Sequence, residues 1–167
     1  MKLVIIRHGP AGDPEEWEAE GRDDRLRPLT PEGRKEMQRV APGLARLVPA
    51  LDVLATSPLT RAAETAEIVA REYDARMVTL EALAPDHDPE EVVRWLRDQP
   101  PNQTVGLVGH EPLLSTLAAH LLAKTRRSFM DLKKGGVCRI DLPDPPEPGD
   151  GSLEWLLTPR ELRRLGK

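Results

Sequence analysis

Short apolar runs alternate along the chain with longer segments in which apolar residues recur every three or four positions. Residues 2–6 are rich in β-branched side chains and too short for a stable helix, so they predict a buried strand. Thr30 followed by Pro31 has the residue types of a helix N-cap and first turn, and apolar residues at helical spacing follow. This alternation indicates an α/β layer fold.

The same reasoning assigns the rest of the chain. Further strands are predicted at residues 51–56, 77–80, 104–108, 137–142 and 153–157. Further helices are predicted to begin near Ser57, Asp88, Leu113 and Pro159. The proline-rich segment 143–151 is expected to be the turn between the last two strands.

Composition narrows the class of protein. With 167 residues, the chain is expected to form a single domain over residues 1–167. The formal net charge of −4 gives no footprint for nucleic-acid binding. No stretch approaches the roughly 20 apolar residues needed to cross a bilayer, and Arg7 and His8 interrupt the N-terminal apolar run. The only cysteine, Cys138, suits a reducing compartment. We therefore expect a cytoplasmic protein that contacts neither membrane nor nucleic acid.

Candidate chemistry lies at the ends of predicted strands. Arg7 and His8 end the first strand, and His110 ends the strand at 104–108. Arg61 falls in the first turn of the helix that follows the strand at 51–56, and Arg27 lies in the loop before Thr30. Ligands of open α/β sheets bind in the crevice outside the carboxyl ends of the strands. We therefore expect these side chains to face one ligand.

The residue types indicate which ligand. Arginine matches a phosphate group with two parallel hydrogen bonds, and it outnumbers lysine in this chain. A histidine among guanidinium groups has its pKa lowered, which leaves a neutral ring nitrogen able to attack phosphorus. Covalent phosphohistidine catalysis requires no metal, and no cofactor is expected. The sequence has neither the G-x-S-x-G motif of serine hydrolases nor a P-loop.

Three motifs in chain order resemble the histidine phosphatase superfamily, branch 1, the phosphoglycerate-mutase-like group. They are Arg7-His8-Gly9, Ser57-Pro58-x-x-Arg61-Ala62-x-x-Thr65 and Gly109-His110. The short loops and the C-terminal Trp155-Leu156-Leu157-Thr158-Pro159 make the chain most similar to the SixA-like phosphohistidine phosphatases. The resemblance spans nearly the whole chain. It implies a three-layer α/β sandwich, with a mostly parallel central sheet and helices on both faces.

The resemblance also implies residue roles. His8 is the nucleophile that becomes phosphorylated, Arg7 and Arg61 clamp the phosphate, and His110 stabilises the transferring group. Arg27 closes the site.

The general acid is left open between three alternatives. In the wider superfamily an acid after the third strand protonates the leaving oxygen, and Glu81 falls near that place, although the glycine-bearing continuation of the family pattern is missing. Asp24 is the second candidate. The third is that no strong acid is present, which would favour N–P over O–P substrates because imidazole leaves with less proton donation than an alkoxide.

The expected function is a metal-independent phosphatase that removes phosphate from phosphohistidine on a protein. The alternatives are a phosphatase of a small ester, such as a sugar phosphate, a nucleotide or a cofactor precursor, and a silent phosphate-binding module. Two other histidines receive structural interpretations. His87 lacks partner ligands for a metal site, and His120 lies in an apolar helical segment and is expected to be packed there.

Overall fold

A six-stranded sheet forms the centre of the fold in the computed structural model, which describes residues 1–167. The strand order is β3-β2-β4-β1-β5-β6. The strands are β1 (Lys2–Arg7), β2 (Val53–Thr56), β3 (Arg76–Thr79), β4 (Thr104–Gly109), β5 (Val137–Asp141) and β6 (Ser152–Leu157). The first four run parallel to one another, whereas β5 is antiparallel to both β1 and β6. The mostly parallel central sheet predicted for the family is confirmed.

Six α-helices accompany the sheet. They are α1 (Pro14–Ala19), α2 (Pro31–Leu47), α3 (Thr60–Ala70), α4 (Pro89–Arg97), α5 (Leu113–Ala123) and α6 (Pro159–Leu165). Five of them were predicted from their start signals. The exception, α1, has no buried residue and therefore lacks the apolar periodicity that identifies a helix in a sequence. Its cap is local, since the Asp13 carboxylate accepts the N–H groups of Glu15 and Glu16.

The central strand β1 explains why helices cover both faces. Its apolar residues are all fully buried, and successive side chains point to opposite faces of the sheet. Leu3 and Ile5 join a core with residues of α4 and α5, while Val4 and Ile6 join a second core with residues of α2, α3 and α6. A strand buried on both faces must be continuously apolar, as residues 3–6 are. No helix is long and apolar enough to cross a membrane.

The pairing of β1 with β4 positions the candidate site. The parallel register sets Ile6 opposite Val108 and Arg7 opposite Gly109, so the residues that follow each strand emerge side by side. The backbone N–H of His8 continues this pairing and donates to the Gly109 carbonyl over 3.1 Å. Thus the sheet itself brings together two segments about a hundred positions apart in the sequence.

Candidate active site

His8 and His110 lie next to each other at the carboxyl edge of the sheet. Their ring centroids are 5.0 Å apart, with the ring planes inclined by 54°. Both side chains are buried, with 6% and 3% of the residue surface exposed. The sequence prediction that these strand-end histidines face one another is therefore correct in its geometry.

The protonation state of His8 follows from its surroundings. Nδ1 lies 2.7 Å from the carbonyl oxygen of Gly9. A carbonyl only accepts, so Nδ1 carries the ring proton in the neutral ring and Nε2 keeps its lone pair. Burial is the largest influence and lowers the pKa of His8 to about 3. The hydrogen bond to Gly9 acts to raise this pKa, whereas the charges of Arg61, Arg7 and Arg27 lower it. His8 is thus neutral at physiological pH, with Nε2 as its available nucleophilic atom.

His110 is held by a different partner. Its Nε2 lies 2.8 Å from the hydroxyl oxygen of Ser57, which also accepts the backbone N–H of Leu59. Burial lowers the pKa of His110 to about 3, and electrostatic interactions with His8 and Arg61 act in the same direction. The second histidine is therefore also neutral. It is fixed in orientation by a residue that begins the next motif.

The Ser57 to Thr65 motif connects the other two motifs. Ser57, before α3, contacts His110, whereas Thr65, one turn after Arg61, accepts the backbone N–H of Gly9 through its hydroxyl oxygen over 3.1 Å. The Thr65 hydroxyl in turn donates to the Arg61 carbonyl over 2.8 Å. The spacing of this motif therefore has a structural reason, because the residue before α3 contacts His110 and a residue inside α3 contacts the segment of His8.

Three arginines surround the histidines. Arg7 donates from Nη1 to the Leu132 carbonyl over 2.7 Å, and Arg27 donates from Nη1 to the Gly12 carbonyl over 2.6 Å. Arg61 and Arg27 are nearly buried, with 5% and 8% of their surface exposed. Backbone carbonyls thus help to orient the guanidinium groups of Arg7 and Arg27. The Nε–H groups of Arg7 and Arg61 are buried and have no hydrogen-bond partner in the protein.

Asp24 joins two of these arginines. Its carboxylate accepts Nε–H of Arg27 over 2.7 Å and Nη2–H of Arg61 over 3.1 Å, and its backbone carbonyl accepts Nη1–H of Arg61. Burial acts to raise the pKa of Asp24, but the hydrogen bond from Arg27 and the charge of Arg61 outweigh it, and the net pKa is lowered. Asp24 is therefore ionised and holds the arginines, and an ionised carboxylate has no proton to donate.

These side chains enclose one cavity of about 250 Å³. Its lining is entirely polar apart from two prolines. The lining residues are Arg7, His8, Pro14, Arg27, Arg61, Pro85, His110, Glu111 and Lys134. Five of the six site residues predicted from the sequence line it. Four fixed cations around so small a volume favour a compact anion of high charge.

Glu81 is the predicted site residue that does not line the cavity. It is exposed at the rim, where its carboxylate pairs with Arg25 at 3.1 Å. The one carboxylate in the lining is Glu111, which follows His110 directly and which the sequence analysis did not single out. The available signal was adjacency, since the residue after a strand-end histidine faces the same crevice.

A larger hollow, of about 710 Å³, lies between α2 and α6. Arg39, Arg160 and Arg163 are among its lining residues, but no histidine, cysteine, serine or acidic residue is. Unlike this hollow, the cavity at the strand ends is lined by two histidines and a carboxylate.

Comparison with known proteins agrees with this geometry. The family model of the histidine phosphatase superfamily (branch 1) matches residues 3–85. An uncharacterized protein of Picosynechococcus sp. is 34% identical over 140 residues, which cover 82% of each chain. The structure of the protein histidine phosphatase SixA complexed with tungstate superimposes with a TM-score of 0.80 at 25% identity, covering 97% of this chain and 99% of that one. A SixA structure from Nakamurella multipartitia gives a TM-score of 0.78 at 21% identity, covering 95% of each chain.

The chain therefore belongs to the histidine phosphatase superfamily, branch 1, and the resemblance drawn from three sequence motifs is confirmed. Its enzyme class is that of a phosphatase, a hydrolase. Within the superfamily, the likeness to SixA extends over nearly the entire chain.

Proposed function

We propose that this protein is a metal-independent phosphatase that works through a phosphohistidine at His8 and removes phosphate from phosphohistidine on another protein. The observation that carries the proposal is the state of His8. Its ring is neutral and fixed by Gly9, and its Nε2 is free at a cavity that it shares with three arginines. A neutral nucleophile beside fixed cations is the arrangement that phosphoryl transfer needs.

The proposed first step is attack of His8 Nε2 on phosphorus, with the phosphoryl oxygens held by Arg7, Arg61 and Arg27. The P–N bond to His8 forms as the bond to the leaving group breaks. Water then attacks the phosphorylated His8, and inorganic phosphate leaves. The buried Nε–H groups of Arg7 and Arg61 are donors that an oxyanion would satisfy. Neutral His110, close to His8, stabilises the transferring group.

Two observations favour a substrate displayed on a protein. At about 250 Å³ the cavity is smaller than most pockets that enclose a whole small molecule, and its walls are polar rather than shaped for an apolar body. The full-length likeness to SixA, described as a protein histidine phosphatase and solved with the tetrahedral oxyanion tungstate, points the same way. The second candidate, a phosphatase of a small phosphate ester, is favoured by one observation, the carboxylic acid Glu111 in the cavity lining.

The test compares substrates and variants in EDTA. Purified wild type and His8→Ala are incubated with a phosphohistidine-bearing protein and with a panel of phosphate esters, and phosphate release is followed. We expect release from phosphohistidine by the wild type, an acid-labile phosphate label on the wild type, and neither with His8→Ala. Release from esters alone would replace the substrate proposal with the second candidate. Loss of all activity in EDTA that is restored by added metal would contradict metal independence.

Phosphate binding separates inactivity from misfolding. Tungstate is expected to bind both wild type and His8→Ala, because the arginines remain in the variant. Wild-type protein that binds tungstate but releases phosphate from no substrate would instead indicate a phosphate-binding module.

A further inference from the structure

Glu111 is one of the residues that line the proposed catalytic cavity. It shares that wall with His8, His110 and Arg7, and it is the one carboxylic acid among the lining residues. Glu111 is the second residue after β4 and follows His110 directly, so its backbone lies beside that histidine. A proton donor for the leaving group has to reach the same small volume as the nucleophile.

The local hydrogen bonds of the Glu111 carboxylate come from the first turn of α5. Oε1 accepts the backbone N–H of Ser115 over 3.1 Å, and hydrogen bonding from Ser115 favours the ionised form of Glu111. No arginine or lysine pairs with this carboxylate within salt-bridge distance, in contrast to Asp24 and Glu81. Glu111 is therefore oriented by the helix without being held ionised by a direct cation.

The charges around Glu111 come from several elements. Arg7 on β1 favours the ionised form, while Asp131 in the loop before β5 disfavours it. The cavity wall adds Arg27, Arg61, Lys134 and the neutral rings of His8 and His110. The buried thiol of Cys138 on β5 also senses the carboxylate, which raises the pKa of that thiol further. Burial is the largest influence, and the pKa of Glu111 is raised above its ordinary range.

We propose that Glu111 is the general acid and base of this phosphatase, in place of Glu81 or Asp24. The proposal rests on the proposed function, since it assigns a further residue to the same reaction. In the first step the carboxyl proton of Glu111 passes to the leaving oxygen or nitrogen as the bond to phosphorus breaks and the bond to His8 forms. In the second step the Glu111 carboxylate takes a proton from the attacking water as the P–N bond to His8 breaks.

The role has a consequence for substrate class. An alkoxide is a poor leaving group and needs the proton, whereas nitrophenolate leaves without it. An acid at this position therefore extends the reaction from phosphohistidine to phosphate monoesters of aliphatic alcohols.

The experiment measures kcat/KM for Glu111→Gln, Glu111→Asp and the control Glu81→Gln on two esters, phosphoserine and p-nitrophenyl phosphate. A glutamine at 111 can still accept the Ser115 N–H, so the fold is expected to be preserved, and tungstate binding checks that the cavity remains. For Glu111→Gln we expect kcat/KM to fall about 100-fold or more on phosphoserine and less than about 10-fold on p-nitrophenyl phosphate. Glu111→Asp should restore part of the phosphoserine activity, and Glu81→Gln should leave both values within about twofold.

A second readout follows the enzyme rather than the product. With p-nitrophenyl phosphate, Glu111→Gln should accumulate acid-labile phosphoenzyme, because phosphorylation proceeds without an acid while hydrolysis has lost its base. Equal losses on both esters without phosphoenzyme, or a leaving-group-dependent loss in Glu81→Gln instead, would overturn the role of Glu111 and leave the proposed function standing. Wild-type turnover of phosphohistidine but of neither ester would overturn the role of Glu111 alone. Wild-type protein that turns over neither phosphohistidine nor an ester, or full activity in His8→Ala, would overturn the proposed function and this role with it.

Discussion

Two regions of the molecule each contain a pair of histidines, and they differ in what surrounds the rings. At the strand ends, His8 and His110 contact a carbonyl and a hydroxyl, and arginines line the same cavity. On the α4–α5 side, the Nε2 of His120 lies 2.9 Å from Glu90, and the Nδ1 of His87 lies 3.1 Å from Glu91. The first pair faces cations, whereas the second pair faces carboxylates.

The difference separates a reactive histidine from a structural one. A glutamate partner occupies a ring nitrogen of His87 and of His120, so that nitrogen is engaged in a contact within the protein. Cations and burial favour the neutral ring, and a carbonyl partner on Nδ1 leaves Nε2 free to attack. The negative charge of Glu90 is compensated within the protein, because its carboxylate also pairs with Arg97 at 3.2 Å. The strand-end region leaves its positive charge available for a ligand.

The largest expected effect is at His110. We expect His110→Ala to lower kcat about 100- to 1000-fold, because a fixed group beside the transferring phosphoryl is lost. The matched change His87→Ala should leave kcat within about twofold, since His87 is partly exposed and contacts only Glu91. Phosphate release by the two variants, with circular dichroism as the folding control, checks the contrast. Similar losses of kcat in the two variants would mean that the surroundings of the two histidines do not distinguish a catalytic from a structural role.

The next effect concerns the arginines. Arg61→Ala should lower kcat/KM about 100-fold and weaken tungstate binding, because a nearly buried guanidinium oriented by Asp24 is removed. Arg61→Lys should recover only part of the loss, since lysine keeps the charge without the planar fork. Arg97→Ala should retain activity, since Arg97 lies on α4 and pairs with Glu90 in the other region. Full recovery by lysine would show that charge alone, rather than paired hydrogen bonding, binds the phosphate.

For His120, on the α4–α5 side, we expect the opposite result, a loss of stability without a loss of activity. His120→Ala is expected to lower the free energy of unfolding by about 2 kcal/mol, since a buried ring and its hydrogen bond to Glu90 are lost. Its phosphatase activity should be that of the wild type. Urea unfolding and phosphate release on the same preparation measure both quantities. A tenfold loss of activity without a loss of stability would place His120 in the catalytic machinery.

The smallest expected effect is in how the free energy of unfolding depends on pH. In the unfolded chain His8 takes up a proton near its ordinary pKa of 6.5, whereas in the folded protein its pKa is about 3. Between these values the unfolded chain binds more protons, so His8 makes the free energy of unfolding fall as the pH is lowered from 6.5 towards 3. The contribution approaches about 1 kcal/mol per pH unit. It should be missing in His8→Ala and present in His87→Ala, as urea unfolding at several pH values would reveal. Parallel slopes for wild type and His8→Ala would contradict the neutral buried ring.

Some helices and strands could be predicted from the sequence pattern and one helix could not. Strands such as β1 and helices such as α2 were predicted because burial on defined faces leaves a periodic trace. α1 left no such trace, because it buries no residue. The sequence also indicated a phosphate ligand for the strand-end histidines, because arginine and histidine after buried strands are residue types that bind phosphate and react with it.

The general acid marks the limit of that reasoning. Its identity depends on which carboxylate is desolvated and which is paired, and both properties arise from contacts between distant segments. Asp24 is ionised because Arg27 and, from another element, Arg61 both reach its carboxylate, whereas Glu81 is exposed and pairs with Arg25. Glu111 lies in the cavity because β4 ends beside β1.

The sequence by itself determined the α/β layering, the family and the reactive residue types, since these follow from local periodicity and from motifs of a few residues. Tertiary structure alone decided which ring nitrogen is free, which arginines are braced by Asp24 and which carboxylate shares the cavity with His8. The physical reason is that pKa values and hydrogen-bond partners depend on burial and on distances in space. Neither quantity is encoded by spacing along the chain.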